Sequence, residues 1–152
     1  KARQNNDVLI GVHIRQGDYK DFVGGTHFHN HETYIEIMQK IKKLFPNKKV
    51  RFLICSDAPQ DPTTFDNLDC MLPSNHLLED MYSLASCDYI MGVPSTYTLW
   101  ASFFGEKPLY QIEDIKKEFT LDDFFINSFY YLILDIIRYP KNGQYILHTI
   151  LP

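Results

Sequence analysis

One short stretch of the sequence has residue types that suit the binding of a phosphorylated ligand, residues 13–18 (HIRQGD). In an extended strand His13 and Arg15 point to the same side, because successive side chains alternate. The Arg15 guanidinium can donate two parallel hydrogen bonds to a phosphate, and Gly17 would let the backbone approach that phosphate closely. The alternative is structural, an ion pair between Arg15 and Asp18 that braces a turn. The stretch therefore predicts either an anion site or a braced turn.

Two further polar pairs also follow apolar runs. Ser95-Thr96 comes directly after Pro94, and it predicts the start of a helix whose free amides and hydroxyls can bind an anion. Capping of that helix alone is the alternative. Ser56-Asp57 ends another apolar run. The Asp57 carboxylate could accept a hydrogen bond from a ribose or a base N–H, or it could cap the following turn.

The other clusters of chemically capable residues predict less. Three alternate histidines, His27, His29 and His31, could chelate a metal if their segment is extended, but no cysteine or carboxylate at standard spacing completes a closed site. We therefore predict no metal site. We expect these histidines either to be solvated in a loop or to contact an acceptor substrate. Glu79-Asp80 is predicted to be the solvated surface of a helix rather than a catalytic pair. The lysines between residues 40 and 49 are predicted to be a solvated face.

These clusters are positioned by a regular alternation of strand and helix patterns. Short β-branched runs predict strands at 8–14, 50–55, 70–72, 89–93 and 107–110. Three-to-four spacing and helix-start signals predict helices at about 32–45, 77–86 and 95–104, with a short one at about 121–125. Residues 129–138 fit either a strand or a helix. The alternation predicts parallel βαβ units and a doubly wound, Rossmann-like α/β sheet, which binds ligands beyond the carboxyl ends of its strands, where the polar clusters fall.

The composition of the chain narrows the classes of function. A length of 152 residues fits one domain, and a net charge of −4 offers no global positive field to hold nucleic acid. Three cysteines without a CxxC pair predict buried, reduced thiols of a cytoplasmic protein. No run reaches the roughly 18 apolar residues of a membrane span. The sequence has no GxGxxG, Walker A or GxSxG motif, which argues against dinucleotide oxidoreductases, P-loop proteins and α/β-hydrolases.

Four segments together resemble the α-1,2-fucosyltransferases and the wider HxRxGDY fucosyltransferase superfamily. Residues 11–19 (GVHIRQGDY) resemble the HxRxGDY motif. Residues 52–57 (FLICSD) resemble a strand of the family that ends in Ser-Asp. Residues 78–88 (LEDMYSLASCD) resemble its acidic helix that ends in Cys-Asp, and residues 94–101 (PSTYTLWA) resemble its NSTFSWWAA segment. The four matches occur in the family's order and extend over about two thirds of the chain.

The resemblance implies a GT-B glycosyltransferase, of which this chain is the carboxyl-terminal, donor-binding half. Its donor would be GDP-fucose, and fucose would pass to a glycan hydroxyl with inversion and without a required metal. Arg15 would neutralise the diphosphate leaving group, which is stabilisation of developing charge. Asp18 would orient Arg15 or act near the acceptor.

The same resemblance implies the remaining substrate contacts. His13 would contact or orient the pyrophosphate side of the donor, with Gly17 in the same loop. Ser95 and Thr96 would receive phosphate oxygens at a helix start, and Asp57 would face the nucleoside.

Two departures from the family pattern support a different hypothesis. Gln16 stands where a second arginine is common, and Leu99 stands where the first tryptophan of a pair is usual. The alternative is therefore a non-catalytic nucleotide-sugar-binding or structural α/β domain.

The resemblance also implies partners for the chain. Residues 1–152 would be a single domain, and its partners would be the donor, the glycan acceptor and an acceptor-binding amino-terminal domain of the same protein. Peripheral association of the parent with a membrane belongs to the same expectation. Because a GT-B site lies between two domains, the chain alone is expected to bind GDP weakly and to transfer poorly.

Overall fold

Apolar, β-branched runs form the central strands of a six-stranded sheet in the computed structural model, which describes residues 7–128. Every residue of β1 (Val8–Ile14) is buried, and most of β2 (Val50–Ser56) is buried as well, as expected of strands covered on both faces. The shorter strands are β3 (Cys70–Met71), β4 (Tyr89–Gly92), β5 (Pro108–Gln111) and β6 (Phe125–Ile126). The helices are α1 (His31–Lys43), α2 (Leu77–Ala85) and α3 (Thr96–Gly105).

The strand order in the sheet is β3-β2-β1-β4-β5-β6. The first five strands pair in parallel, and β6 pairs antiparallel with β5. The predicted doubly wound α/β fold is thereby confirmed, and its strand order is that of a Rossmann-type sheet. Because the chain winds outward in opposite directions from β1 and β4, a crevice opens at the carboxyl ends of these two strands.

The sequence prediction did not include β6. The short helix predicted at about 121–125 is a single 3-10 turn at Leu121–Asp123, followed directly by β6. Thr120 caps that turn by accepting from the amide of Asp122, and the turn leads into pairing with β5. The undecided segment 129–138 lies outside the described residues. Among residues 7–128, no helix has the length and apolar content that crossing a membrane requires.

Alternation along β1 divides the core into two layers. Val8, Ile10, Val12 and Ile14 pack in the cluster that contains the buried face of α1, whereas Leu9 packs in the cluster of α2 and α3. Since His13 has the same parity as Leu9, its side chain projects on the α2–α3 side of the sheet.

Gly105 ends α3 where that helix meets the end of α2. A Cβ at Gly105 would overlap the backbone carbonyl of Ala85, so we expect Gly105→Ala to lower the free energy of unfolding by about 2 kcal/mol through overpacking. Glu106, the next residue, has a left-handed φ of 51°. Glu106→Gly is therefore expected to be neutral or stabilising. Urea unfolding of both variants tests this, and Gly105→Ala with unchanged stability would contradict the close approach.

Candidate functional site

The loop after β1 is held to the loop after β2 by one carboxylate. The backbone amides of Gln16 and Gly17 donate to the two oxygens of Asp57, at 2.8 and 3.0 Å. Asp57 does not cap its own turn, because Ser56 Oγ accepts from the amide of Ala58 instead. A Cβ at Gly17 would lie 2.7 Å from Asp57 Oδ2, so the Asp57 contact is itself a reason for glycine at this position.

Arg15 lies in this loop between two carboxylates. Its Nε and Nη2 donate to Asp18 Oδ1 at 3.0 and 2.7 Å, and Nε is 3.3 Å from Asp57 Oδ2. The braced turn that the sequence offered as an alternative is therefore present. The Arg15 side chain is 23% exposed, and among the described residues its Nη1 has no hydrogen-bond partner. Since Asp18 is 43% exposed, an incoming anion could displace it from Arg15 at modest cost.

The start of α3 is joined to the same loop through Tyr19. The Tyr19 hydroxyl donates to the carbonyl of Pro94 at 2.7 Å, directly before the helix cap. Ser95, which is buried, caps α3 by accepting from the amide of Thr98 at 3.2 Å. Thr96 is the first helical residue and half-buried, and its hydroxyl has no partner among the described residues. Ser95 therefore caps the helix as the structural alternative required, while the first amides and Thr96 remain able to bind an anion.

His13 is buried at the carboxyl end of β1, with 3% of its surface exposed. Its ring lies 4.5 Å from the ring of Tyr97, and its Nδ1 has no hydrogen-bond partner. Burial, together with the nearby charge of Arg15 and against the opposing effect of Asp57, lowers the pKa of His13 to about 4. His13 is therefore neutral near pH 7, with an unpartnered ring nitrogen beside the start of α3.

A cavity of about 430 Å³ opens at the carboxyl ends of β2 and β3. Asp57 and Gln60 line its edge, and the apolar side chains of Pro59 and Leu72 lie along its walls. Asp80 also lines this cavity and is only 8% exposed. Asp57 thus contacts Arg15 with one oxygen and borders the cavity that contains Asp80.

The prediction that Asp80 is solvated surface was wrong. Asp80 Oδ1 accepts from Asn75 Nδ2 at 3.1 Å, and no described residue bonds to Oδ2. One signal in the sequence points to this burial, because Asp80 lies four residues before Leu84 and therefore on the buried face of α2. Glu79, by contrast, is exposed and accepts from the amide of His76 in a capping box.

The three alternate histidines do not converge. His31 begins α1, and its Nε2 is 2.7 Å from Gln60 Oε1. His27 Nδ1 and His29 Nε2 are buried without a partner, and burial together with the neighbouring His27 lowers the pKa of His29. Within residues 7–128, no three possible ligands come close enough together to hold a metal ion.

No family model and no curated protein matches this sequence. One similar solved structure is the fucosyltransferase NodZ from Bradyrhizobium, at 21% identity and a TM-score of 0.46, covering 70% of this chain and 38% of that one. Another is a NodZ α-1,6-fucosyltransferase soaked with GDP-fucose, at 20% identity and a TM-score of 0.44, covering 80% and 43%. This chain spans about two fifths of the length of each.

Proposed function

We propose that residues 7–128 form the donor-binding part of a GDP-fucose-dependent glycosyltransferase, which transfers fucose with inversion to a glycan hydroxyl. One observation carries the proposal, namely that Asp57 contacts Arg15 and borders the cavity of Asp80. A cation and a buried carboxylate thus flank one short stretch of the carboxyl edge of the sheet. A nucleoside diphosphate presents complementary groups, with an anion at one end and base N–H donors at the other.

The buried Asp80 carboxylate favours guanine over uracil in this cavity. Guanine presents two adjacent donors, N1–H and the N2 amino group, to a carboxylate, whereas uracil presents one N–H between two carbonyl acceptors. Asp80 Oδ2 has no partner among the described residues, and Oδ1 has a second acceptor site besides the one that Asn75 occupies. Pro59 and Leu72 supply an apolar wall for the face of the base.

The diphosphate of the donor would bind on the β1–β4 side of the same edge. Arg15 would donate to it through the free side of its guanidinium, and Ser95 and Thr96 begin the helix whose amides would receive further oxygens. The neutral His13, whose Nδ1 has no hydrogen-bond partner, lies beside that helix start and would take part in orienting the phosphates.

In the proposed transfer, the acceptor hydroxyl attacks C1 of fucose while the bond from C1 to the β-phosphate oxygen breaks. GDP leaves with additional negative charge, which Arg15 and the α3 amides neutralise without a required metal. Asp18 keeps Arg15 oriented until the donor binds. The proton of the hydroxyl passes to a base on the acceptor side. We assign that side to an amino-terminal domain of a cytoplasmic parent that associates peripherally with a membrane.

Calorimetric titration of the chain with GDP, GDP-fucose and UDP tests the proposed function. We expect GDP and GDP-fucose to bind, and UDP to bind at least about tenfold more weakly because it makes one base hydrogen bond fewer to a charged acceptor. Equal indifference to all three ligands would contradict the proposal. A robust transfer rate from the chain alone would contradict the assignment of the acceptor side to a second domain.

Replacing Asp80 with asparagine is expected to weaken GDP binding by about 2 kcal/mol, roughly 30-fold, and to weaken UDP binding much less. The asparagine oxygen still accepts from Asn75, but its amino group opposes the donors of guanine. Glu79→Gln is the matched control, because it removes the same charge from the adjacent exposed residue and keeps its capping oxygen. Parallel losses for GDP and UDP would contradict a role of Asp80 in base selection.

A purely structural α/β domain is the second candidate, and one observation favours it. Arg15 is paired with Asp18 and Asp57, as a purely structural arginine would be. This candidate expects the two ion pairs to stabilise the loop with no gain in affinity for any diphosphate. The same titration distinguishes it, since its expected result is no binding of GDP or GDP-fucose.

A further inference from the structure

The side chain of Gln16 is joined to the loop after β2. Its Oε1 accepts from Gln60 Nε2 at 3.1 Å. Gln60 Nε2 also lies 3.0 Å from Ser56 Oγ and 3.1 Å from the carbonyl of Ala58. Since the carbonyl of Ala58 can only accept, Gln60 Nε2 is the donor end of its amide, and this determines the orientation of the amide.

That orientation also determines the hydrogen atom on His31. Gln60 Oε1 is the acceptor end of its amide, so His31 Nε2, at 2.7 Å, must be the donor. The contact of 3.4 Å between His31 Nε2 and Gln16 Nε2 is then between two donors and contributes no hydrogen bond. The first residue of α1 therefore holds Gln60, and Gln60 in turn holds Gln16.

This chain of contacts connects the two halves of the proposed donor site. Gln60 borders the cavity of Asp80, whereas Gln16 directly follows Arg15 and does not line the cavity. The backbone amide of Arg15 itself donates a long hydrogen bond of 3.4 Å to the Tyr34 hydroxyl. The hydrogen bond between the Gln16 and Gln60 side chains therefore restrains the position of Arg15 relative to the cavity of Asp80, the proposed base cavity.

We propose that Gln16 and Gln60 are positioning residues that hold the Arg15 loop against the base cavity, so that base and diphosphate of one nucleotide bind together. The inference rests on the proposed function and deepens it. It gives Gln16 a role other than that of a second phosphate ligand. Removing the bond leaves each subsite intact and lets the loop move away from Asp57 and the cavity.

The test compares GDP with guanosine, which has the base and no phosphate. For Gln16→Leu we expect GDP affinity to fall about fivefold to tenfold, as for one lost hydrogen bond, and guanosine affinity to change by less than about twofold. Combined with Arg15→Ala, Gln16→Leu should add no further loss, because it acts through Arg15. Gln39→Leu, the same change on the exposed face of α1, is the control and should leave both affinities unchanged.

A measurement without ligand separates this inference from the proposed function. Gln16→Leu and Gln60→Leu should both speed hydrogen exchange at the backbone amides of Gln16 and Gly17. These amides donate their hydrogen bonds to Asp57. Unchanged exchange, or equal losses of GDP and guanosine affinity, would overturn the inference while leaving GDP binding by the wild type in place. If the wild type binds no GDP, the proposed function fails and the positioning role fails with it, whatever the exchange shows.

Discussion

Arg15→Ala is expected to weaken GDP binding by about 4 kcal/mol, roughly 1,000-fold, because two charge-assisted hydrogen bonds to the diphosphate are lost. In the protein without ligand, Asp18 and Asp57 already hold the guanidinium of Arg15 in place. Ligand binding therefore costs little conformational entropy at this side chain. Its loss also leaves both carboxylates facing the phosphates without a cation. Calorimetry with GDP measures the change.

Two variants make the Arg15 prediction specific. Arg15→Lys retains the charge without the planar fork and should recover only part of the affinity. Arg51→Ala removes an equal charge from the exposed ion pair with Asp69, whose Nε–Oδ1 distance is 2.8 Å, and should leave GDP affinity unchanged. If Arg15→Ala binds GDP within about twofold of the wild type, the ion pairs of Arg15 are structural and the second candidate function is favoured.

Acidification is expected to destabilise the fold through His13. Its pKa in the folded protein is about 4 against 6.5 in a solvated chain. The unfolded chain therefore binds this proton first as the pH falls. The loss of stability from this group is negligible above pH 6.5 and grows as the pH falls to about 4, where it reaches about 3 kcal/mol.

Urea unfolding of the wild type and His13→Phe at several pH values between 7 and 4 measures this contribution. The carboxylates titrate in both proteins, so the difference in their pH slopes isolates His13. We expect His13→Phe, whose ring can still stack on Tyr97, to lose stability less steeply on acidification, and His13→Gln to behave alike. Equal slopes for all three proteins would refute a buried, neutral His13.

The order and type of the elements could be predicted from the sequence because their signals are local. The β-branched run of β1 and the apolar spacing of α1 are each contained in fewer than fifteen residues. The alternation of such runs is sufficient for a parallel sheet, and a parallel sheet brings the carboxyl ends of its strands to one edge. For this reason the sequence also indicated that the segments after β1, β2 and β4 share one edge.

The sequence could not identify the partners within that edge, because they are far apart along the chain. Asp57 accepts from amides 40 and 41 residues away, and Gln60 is joined to Gln16 across 44 residues. Strand register and loop geometry decide which of several polar side chains meet. Composition and residue spacing carry no information about either. The same holds for β6, a two-residue strand whose pairing is decided by β5 rather than by its own propensity.

By itself, the sequence determined the α/β class, the edge of the sheet at which the polar segments meet, and the place of Arg15 at that edge. Only the tertiary structure decided that Asp80 is buried beside a cavity, that Asp57 holds the Arg15 loop, and that Gln16 is turned toward Gln60. The physical reason is the range of the interactions. Hydrophobic periodicity acts within one element, whereas burial of a carboxylate and pairing of amides arise only where separate elements pack together.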